Sequence, residues 1–425
     1  MPRQTYFIDP LAGDDANDGI SEARPRRHHS ACAVRPGDTV LFKRGSVMRE
    51  ALIACEGTPG EPVTYGAYGV GEDPLFLGSM ALDESARWVE DRPNVWRYMG
   101  EFPSEICNLV FNDGASCGTL RWSLAEVREP GDWFYSGIGD TCANESNESH
   151  VSGGKILYLY ASANPTVVHA SIEGVLWGLR RLVTGQRHLI LEHLAFRNSG
   201  VHGYQACGVT DVTIRFCDFR RIGGAVWNRE RRIRFGNAIE MWDGATDITV
   251  EDCNFDDIYD SGVTHQGGET RNIPRRLRFI RNTFARCGMS AYECREPSSD
   301  VSFEYNTCLN AGGGFSHQGE ILPRQSEIHP EPMGHHIFIW RIDPGTQVGA
   351  VNIRHNTFSE TPHGSAIFSI IDPTDERWFV IDHNRYQQTV GTSLIRLGGR
   401  DYAPAEFQRY QAETGQDRHS TLVTA

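Results

Sequence analysis

The sequence predicts an all-β solenoid, a single parallel β-helix with loop insertions, on three observations. A short motif recurs through the second half: Leu194-Ala-Phe196, Cys217-Asp-Phe219, Cys253-Asn-Phe255, Asn282-Thr-Phe284, Asn306-Thr-Cys308, Asn356-Thr-Phe358 and Asn384-Arg-Tyr386. Its steps are 23, 36, 29, 24, 50 and 28 residues. A base period with variable excess is what stacked coils produce when insertions leave as loops. The 44 Gly and 20 Pro also suit a turn-rich β protein. A solenoid core grows along an axis, so 425 residues need no division into ordinary domains.

Residues 1–80 read as an N-terminal cap and first coils. Tyr6-Phe-Ile-Asp-Pro10 is a short strand and Gly13-Asp-Asp-Ala-Asn-Asp-Gly19 a polar turn. Pro36-Gly-Asp-Thr-Val-Leu-Phe-Lys-Arg-Gly45 is turn, buried strand and turn; residues 62–68 and 74–78 add strands. Residues 81–180 are less regular. Trp88, Trp96, Trp122 and Trp133 mark aromatic packing and Lys155-Ile-Leu-Tyr-Leu-Tyr160 is a strand, which reads as early coils with a β-rich insertion. Residues 181–390 are the regular coils, with the helix expected from about residue 30 to 390. Residues 391–425 form a tail whose stretch 403–410 has helical composition and would cap the open sheet end. The Asn column (Asn282, Asn306, Asn356, Asn384) is structural, because stacked Asn side chains hydrogen-bond along the axis.

The segments 6–19, 36–45 and 62–68 together with the coil repeats resemble the right-handed parallel β-helix proteins of the pectate-lyase-like superfamily, and within it a bacterial, carbohydrate-active branch. The resemblance covers most of residues 1–390. It implies a right-handed coil, a polysaccharide or oligosaccharide substrate and a secreted or periplasmic location. It does not choose a reaction, since such proteins include lyases, hydrolases, epimerases and binding proteins. The stretch Met1-Pro-Arg-Gln-Thr-Tyr-Phe7 lacks the charged-then-apolar pattern of a signal peptide, which leaves a cytoplasmic protein as the alternative.

The formal charge of −14 argues against nucleic acid as a partner, and no apolar run approaches the roughly 20 residues of a membrane span. Nothing in the sequence sets an oligomeric state. The 11 cysteines contain no CxxC pair and sit mostly at strand positions, as small buried residues do; a Cys217–Cys253 disulfide is the remaining alternative. Only two of the 41 basic residues are lysines, Lys43 and Lys155.

Side chains alternate between faces of a strand. Aligning Ile239-Glu-Met-Trp242, Val263-Thr-His-Gln266, Tyr292-Glu-Cys-Arg295 and Phe315-Ser-His-Gln318 puts Ile239, Val263, Tyr292 and Phe315 inside. Glu240, Thr264, Glu293 and Ser316 then form one outward column, and Trp242, Gln266, Arg295 and Gln318 the next. Met241, His265, Cys294 and His317 point inward unless a bulge at the neighbouring glycines turns the two histidines out. Glu240 and Glu293 are the candidate catalytic carboxyls, with Asp260 and His265 as further catalytic candidates. Trp242 offers a face for a sugar ring, and Gln266, Arg295, His317 and Gln318 offer hydrogen bonds. The long step after Gln318 reads as a wall bringing Arg324, His335, His336 or Trp340 toward substrate.

No metal site is expected: adjacent His335 and His336 point apart, and the 13–19 turn lacks the third-position oxygen ligand and the distal Glu of a calcium loop. The leading reading is a glycoside hydrolase with a pair of carboxylates and no cofactor. A polysaccharide lyase acting on a uronic-acid polymer is the alternative; it would use His265, Arg295 or Tyr292 as base, and calcium is expected only there. A non-catalytic polysaccharide-binding solenoid is the third.

Overall fold

The computed structural model describes residues 2–139, 155–267, 272–312, 333–343, 345–362, 365–371, 376–390, 392–397 and 399–423. Three ten-stranded sheets run its length, parallel except for one closing antiparallel pair. Each coil contributes a strand to sheet A, then B, then C, winding a right-handed parallel β-helix. Sheet A begins with Thr5–Ile8, so the helix starts well before residue 30 and Tyr6 belongs to its first coil.

The core follows from the inward columns. Phe76, Phe196, Phe219, Phe255 and Phe284 stack ring on ring at 4.6–5.5 Å between centroids. Beside them runs the asparagine ladder. The backbone N–H of Asn282 donates to Asn306 Oδ1 (2.9 Å), that of Asn306 to Asn356 Oδ1 (2.9 Å), and that of Asn356 to Asn384 Oδ1 (3.0 Å). Each Nδ2 also reaches a main-chain carbonyl, as Asn306 does to Phe279 O at 2.9 Å. These side chains therefore satisfy turn amides that no strand can, and stand in one column. Cys217 and Cys253 are both free thiols in the core, not a disulfide.

The tail closes the far end. The helix Phe407–Thr414 buries Phe407 and Tyr410 against the last coil. Asp417 accepts from the hydroxyls of Tyr386 (2.9 Å) and Tyr410 (3.0 Å), and Ser420 Oγ takes the final ladder amide from Asn384 at 2.7 Å. Thr421–Val423 then adds the tenth strand of sheet B.

Residues 81–180 differ from the expectation of early coils. The chain leaves after Leu75–Leu77 of sheet B and rejoins at Arg181–Thr184 of sheet C, and no described residue between 82 and 180 joins a coil sheet. It builds an antiparallel four-stranded sheet and a mostly antiparallel five-stranded one around a second core that includes Trp88, Trp133 and Tyr135. A hairpin, Ala225–Asn228 with Ile233–Phe235, leaves at the same B-to-C corner. Buried Arg234 of the hairpin donates to Cys107 O (3.1 Å) and to Asn108 Oδ1, tying hairpin to insertion. The described parts of residues 82–180 and this hairpin thus stand along one edge of sheet C.

Candidate active site

Sheet C carries the site. Its strands His202–Cys207, Ile239–Trp242, Ser261–His265, Ser290–Arg295 and Ile337–Trp340 are consecutive neighbours. The pairing Gln205↔Glu240↔Thr264↔Glu293↔Phe338 makes one column, and Ile239, Val263 and Tyr292 lie in the core on the other face. Glu240 and Glu293 therefore project from the same face, two rungs apart, with backbones separated by about 9–10 Å. Beyond them lie Trp242, Gln266, Arg295 and Trp340, with Arg295 paired to Trp340.

The two carboxyls are 1% and 2% exposed, yet among the described residues neither forms an ion pair with an arginine. Burial and the neighbouring Glu293 charge push the Glu240 pKa well above the usual carboxylate range. Its Oε2 accepts from Asn237 Nδ2, and its Oε1 has no hydrogen-bond partner among the described residues. Burial raises Glu293 as well, but Arg295, the Trp340 indole and Thr264 oppose it. Trp340 Nε1 donates to Glu293 Oε1 at 2.7 Å. Both environments favour a proton on one carboxyl, and Glu293 has the better support for a charge.

Arg295 donates to Gln266 Oε1 and lies 5.0 Å over the Trp340 ring, and Arg341 lies 4.7 Å over the same ring. Trp242 is half-buried, and its Nε1 has no hydrogen-bond partner among the described residues.

Several sequence expectations need correction. The strand beside Ser290–Arg295 is Ile337–Trp340, not Phe315-Ser-His-Gln318. Ile337 fills the inward position assigned to Phe315, because the insertion precedes this strand instead of following it. Phe315, His317, Gln318 and Arg324 lie outside the described residues. His265 is not turned out by a bulge. It sits in the core with Nε2 3.0 Å from the Tyr292 hydroxyl, and burial lowers its pKa to about 4. His265 and Tyr292 therefore cannot reach a substrate on the outer face. Asp260 does not orient His265; its Oδ2 accepts from Gly236 N at 2.6 Å, at the corner before Ser261–His265. His336 faces the core and His335 binds Ala366 O at 2.7 Å.

The sequence reading missed a third outward column: His202, Asn237, Ser261 and Ser290. Simple alternation sends Ser261 inward with Val263, but Gly262 already faces in, since a Cβ there would meet the Phe284 ring at 2.4 Å. Gly203 is likewise against Phe219. Two successive inward positions reverse the parity before them. Ser261 Oγ consequently lies 3.5 Å from Glu293 Oε2, and Asn237 reaches Glu240. His202 Nδ1 accepts from Asn237 N at 3.2 Å, and burial depresses its pKa to about 3, so its 3.8 Å approach to Glu240 is that of a neutral ring. The recurring pattern polar–small–large (His202-Gly-Tyr, Asn237-Ala-Ile, Ser261-Gly-Val, Ser290-Ala-Tyr) was the available signal.

No family model matches the chain. Among curated proteins, the lacto-N-biosidase of Bifidobacterium longum subsp. longum is 31% identical over 100 residues, covering 21% of this chain and 6% of that protein. The chain thus spans a small part of the curated relative it matches. Among solved structures, the GH136 lacto-N-biosidase from Eubacterium ramulus superposes with a TM-score of 0.50 at 14% identity, over 99% of this chain and 67% of that one. A structure described as a glycoside hydrolase gives 0.54 at 10% identity, over 93% and 95%. Likeness at such identity speaks for fold alone, and it agrees with the sheets described above: the chain has a right-handed parallel β-helix fold.

Proposed function

We propose that this chain is a glycoside hydrolase acting on a polysaccharide or oligosaccharide, with Glu240 as general acid and Glu293 as its charged partner. The carrying observation is two buried carboxyls on one outward column, both with raised pKa and, among the described residues, neither in an ion pair with an arginine. Burying carboxyls without cationic partners costs stability and serves no packing need, whereas raised carboxyls are what glycosidic cleavage uses. Glu240, with a free Oε1 and the more strongly raised pKa, would give its proton to the leaving oxygen. Glu293, supported by the Trp340 N–H and the Arg295 field, would activate water or attack the anomeric carbon. Asn237 fixes Glu240 for this role, and Trp242 with Gln266 and Arg295 would bind the sugar. The names of the similar proteins above support the same class.

Hydrolysis on this plan needs water and no metal. A polymer substrate, which does not cross membranes, would support a secreted or periplasmic location. The test is product analysis on a panel of neutral and uronic glycans. New reducing ends without near-ultraviolet absorbance, lost in Glu240→Gln, support hydrolysis. An unsaturated, ultraviolet-absorbing product identifies a lyase, and binding without cleavage across the panel identifies a non-catalytic protein.

A further inference from the structure

Away from Glu240 and Glu293, exposed rings follow one another along the corner where sheet A turns into sheet B. Tyr305 lies on His355 at 4.8 Å between centroids, His355 on His383 at 4.9 Å, and His383 on His419 at 4.8 Å. The first three occupy equivalent left-handed turn positions of successive coils, with φ of 57–58°. His419 comes from elsewhere, from the tail that follows the capping helix.

Asp382 sits where these segments meet. Its Oδ1 accepts the backbone N–H groups of His383 (2.9 Å) and His419 (2.8 Å). That leaves Oδ2 facing two imidazoles, 2.7 Å from His419 Nδ1 and 3.3 Å from His383 Nδ1. The three ligand-type atoms all lie within 4.8 Å of one another.

We propose that Asp382, His383 and His419 bind one divalent transition-metal ion, which fastens the C-terminal tail to the last complete coil. Two imidazole nitrogens and one carboxylate suit Zn²⁺ or Ni²⁺; Ca²⁺ and Mg²⁺ call for oxygen-rich sets. Ligand bonds of about 2.0–2.2 Å require the three atoms to spread slightly from their present contacts. The histidine side chains are 48% and 66% exposed and have room to rotate. Water can complete the coordination on the open side. Asp382 is already fixed by two amides and His383 is braced by the His355 ring, so binding has little left to order. The ion would replace an imidazole–carboxylate hydrogen bond with coordination spanning residues 36 apart in sequence.

The test uses the full chain, freed of metal with chelator, titrated with ZnCl₂ and NiCl₂ by calorimetry and followed by thermal melting. The expected result is one saturable site per chain and a higher Tm with Zn²⁺. Both should disappear in His419→Ala, His419→Gln and Asp382→Asn, while the metal-free variants keep the wild-type circular dichroism spectrum. With Co²⁺ the wild type should show a visible band typical of nitrogen ligation, lost in the same variants. Absence of a saturable site in the wild type overturns the proposal. So does unchanged binding in His419→Gln, or a Tm rise with Ca²⁺ equal to that with Zn²⁺.

Discussion

Glu240→Gln separates catalytic from structural roles in one side chain, because the two effects have opposite signs. Glutamine keeps the shape and can still accept the Asn237 hydrogen bond. It cannot deliver a proton, so loss of the general acid should lower kcat by about 10²–10⁴-fold, or about 2.7–5.4 kcal/mol of barrier. Stability should move the other way. The folded pKa of Glu240 is raised, first by burial and then by Glu293. Below the ordinary carboxyl pKa of about 4.3, Glu240 is protonated in both folded and unfolded chains and carries no penalty. Above it, the unfolded chain releases the proton and the folded chain holds it. The wild type then loses about 1.4 kcal/mol per pH unit until the folded pKa is reached. Glutamine avoids this loss. Melts at pH 4 should therefore coincide, and at pH 7 the variant should melt higher, by about 1–3 °C for a chain of this size. Pairing such melts with kcat on an active glycan is the assay. A variant that keeps wild-type turnover, or is less stable than wild type at pH 7 and equal at pH 4, would refute the assignment.

Trp242→Ala should chiefly raise KM, because a stacking face holds ground state and transition state alike; a loss confined to kcat would contradict that role. Trp340→Phe removes the N–H that supports the Glu293 carboxylate, so the Glu293 pKa should rise further and the acidic limb of the kcat/KM profile should move to higher pH. An unmoved limb would mean that Glu293 is not the group that must be charged. Asn306→Ala strands the Asn282 N–H and the Phe279 carbonyl in the core and should cost about 2–5 kcal/mol in chemical denaturation. A loss below about 1 kcal/mol would show that the ladder is dispensable.

The solenoid was legible in the sequence because its determinants repeat. The aromatic at the third motif position and the Asn at the first each serve a one-coil contact, so periodic residues state the fold directly. The outward register of Glu240, Thr264 and Glu293 was legible for the same reason: strand alternation is local, and Ile239, Val263 and Tyr292 mark the inside. The double inward step at Gly262 escaped that rule, and with it Asn237, Ser261 and His202. The next strand also escaped it, because the insertion before Ile337–Trp340 breaks the period and Phe315-Ser-His-Gln318 imitates the pattern. The antiparallel pairing in residues 81–180 was not legible, because these strands pair with one another around a separate core and repeat no coil motif, so early coils were expected there.

By itself the sequence determined which residues alternate, stack and repeat, since those properties depend on neighbours one strand or one coil away. Only the tertiary structure decided which carboxyls are dry, which ring supports Glu293, and that His419 meets Asp382. Burial and charge depend on atoms brought together from distant parts of the chain, and a pKa is set by that whole surrounding rather than by the residues beside it.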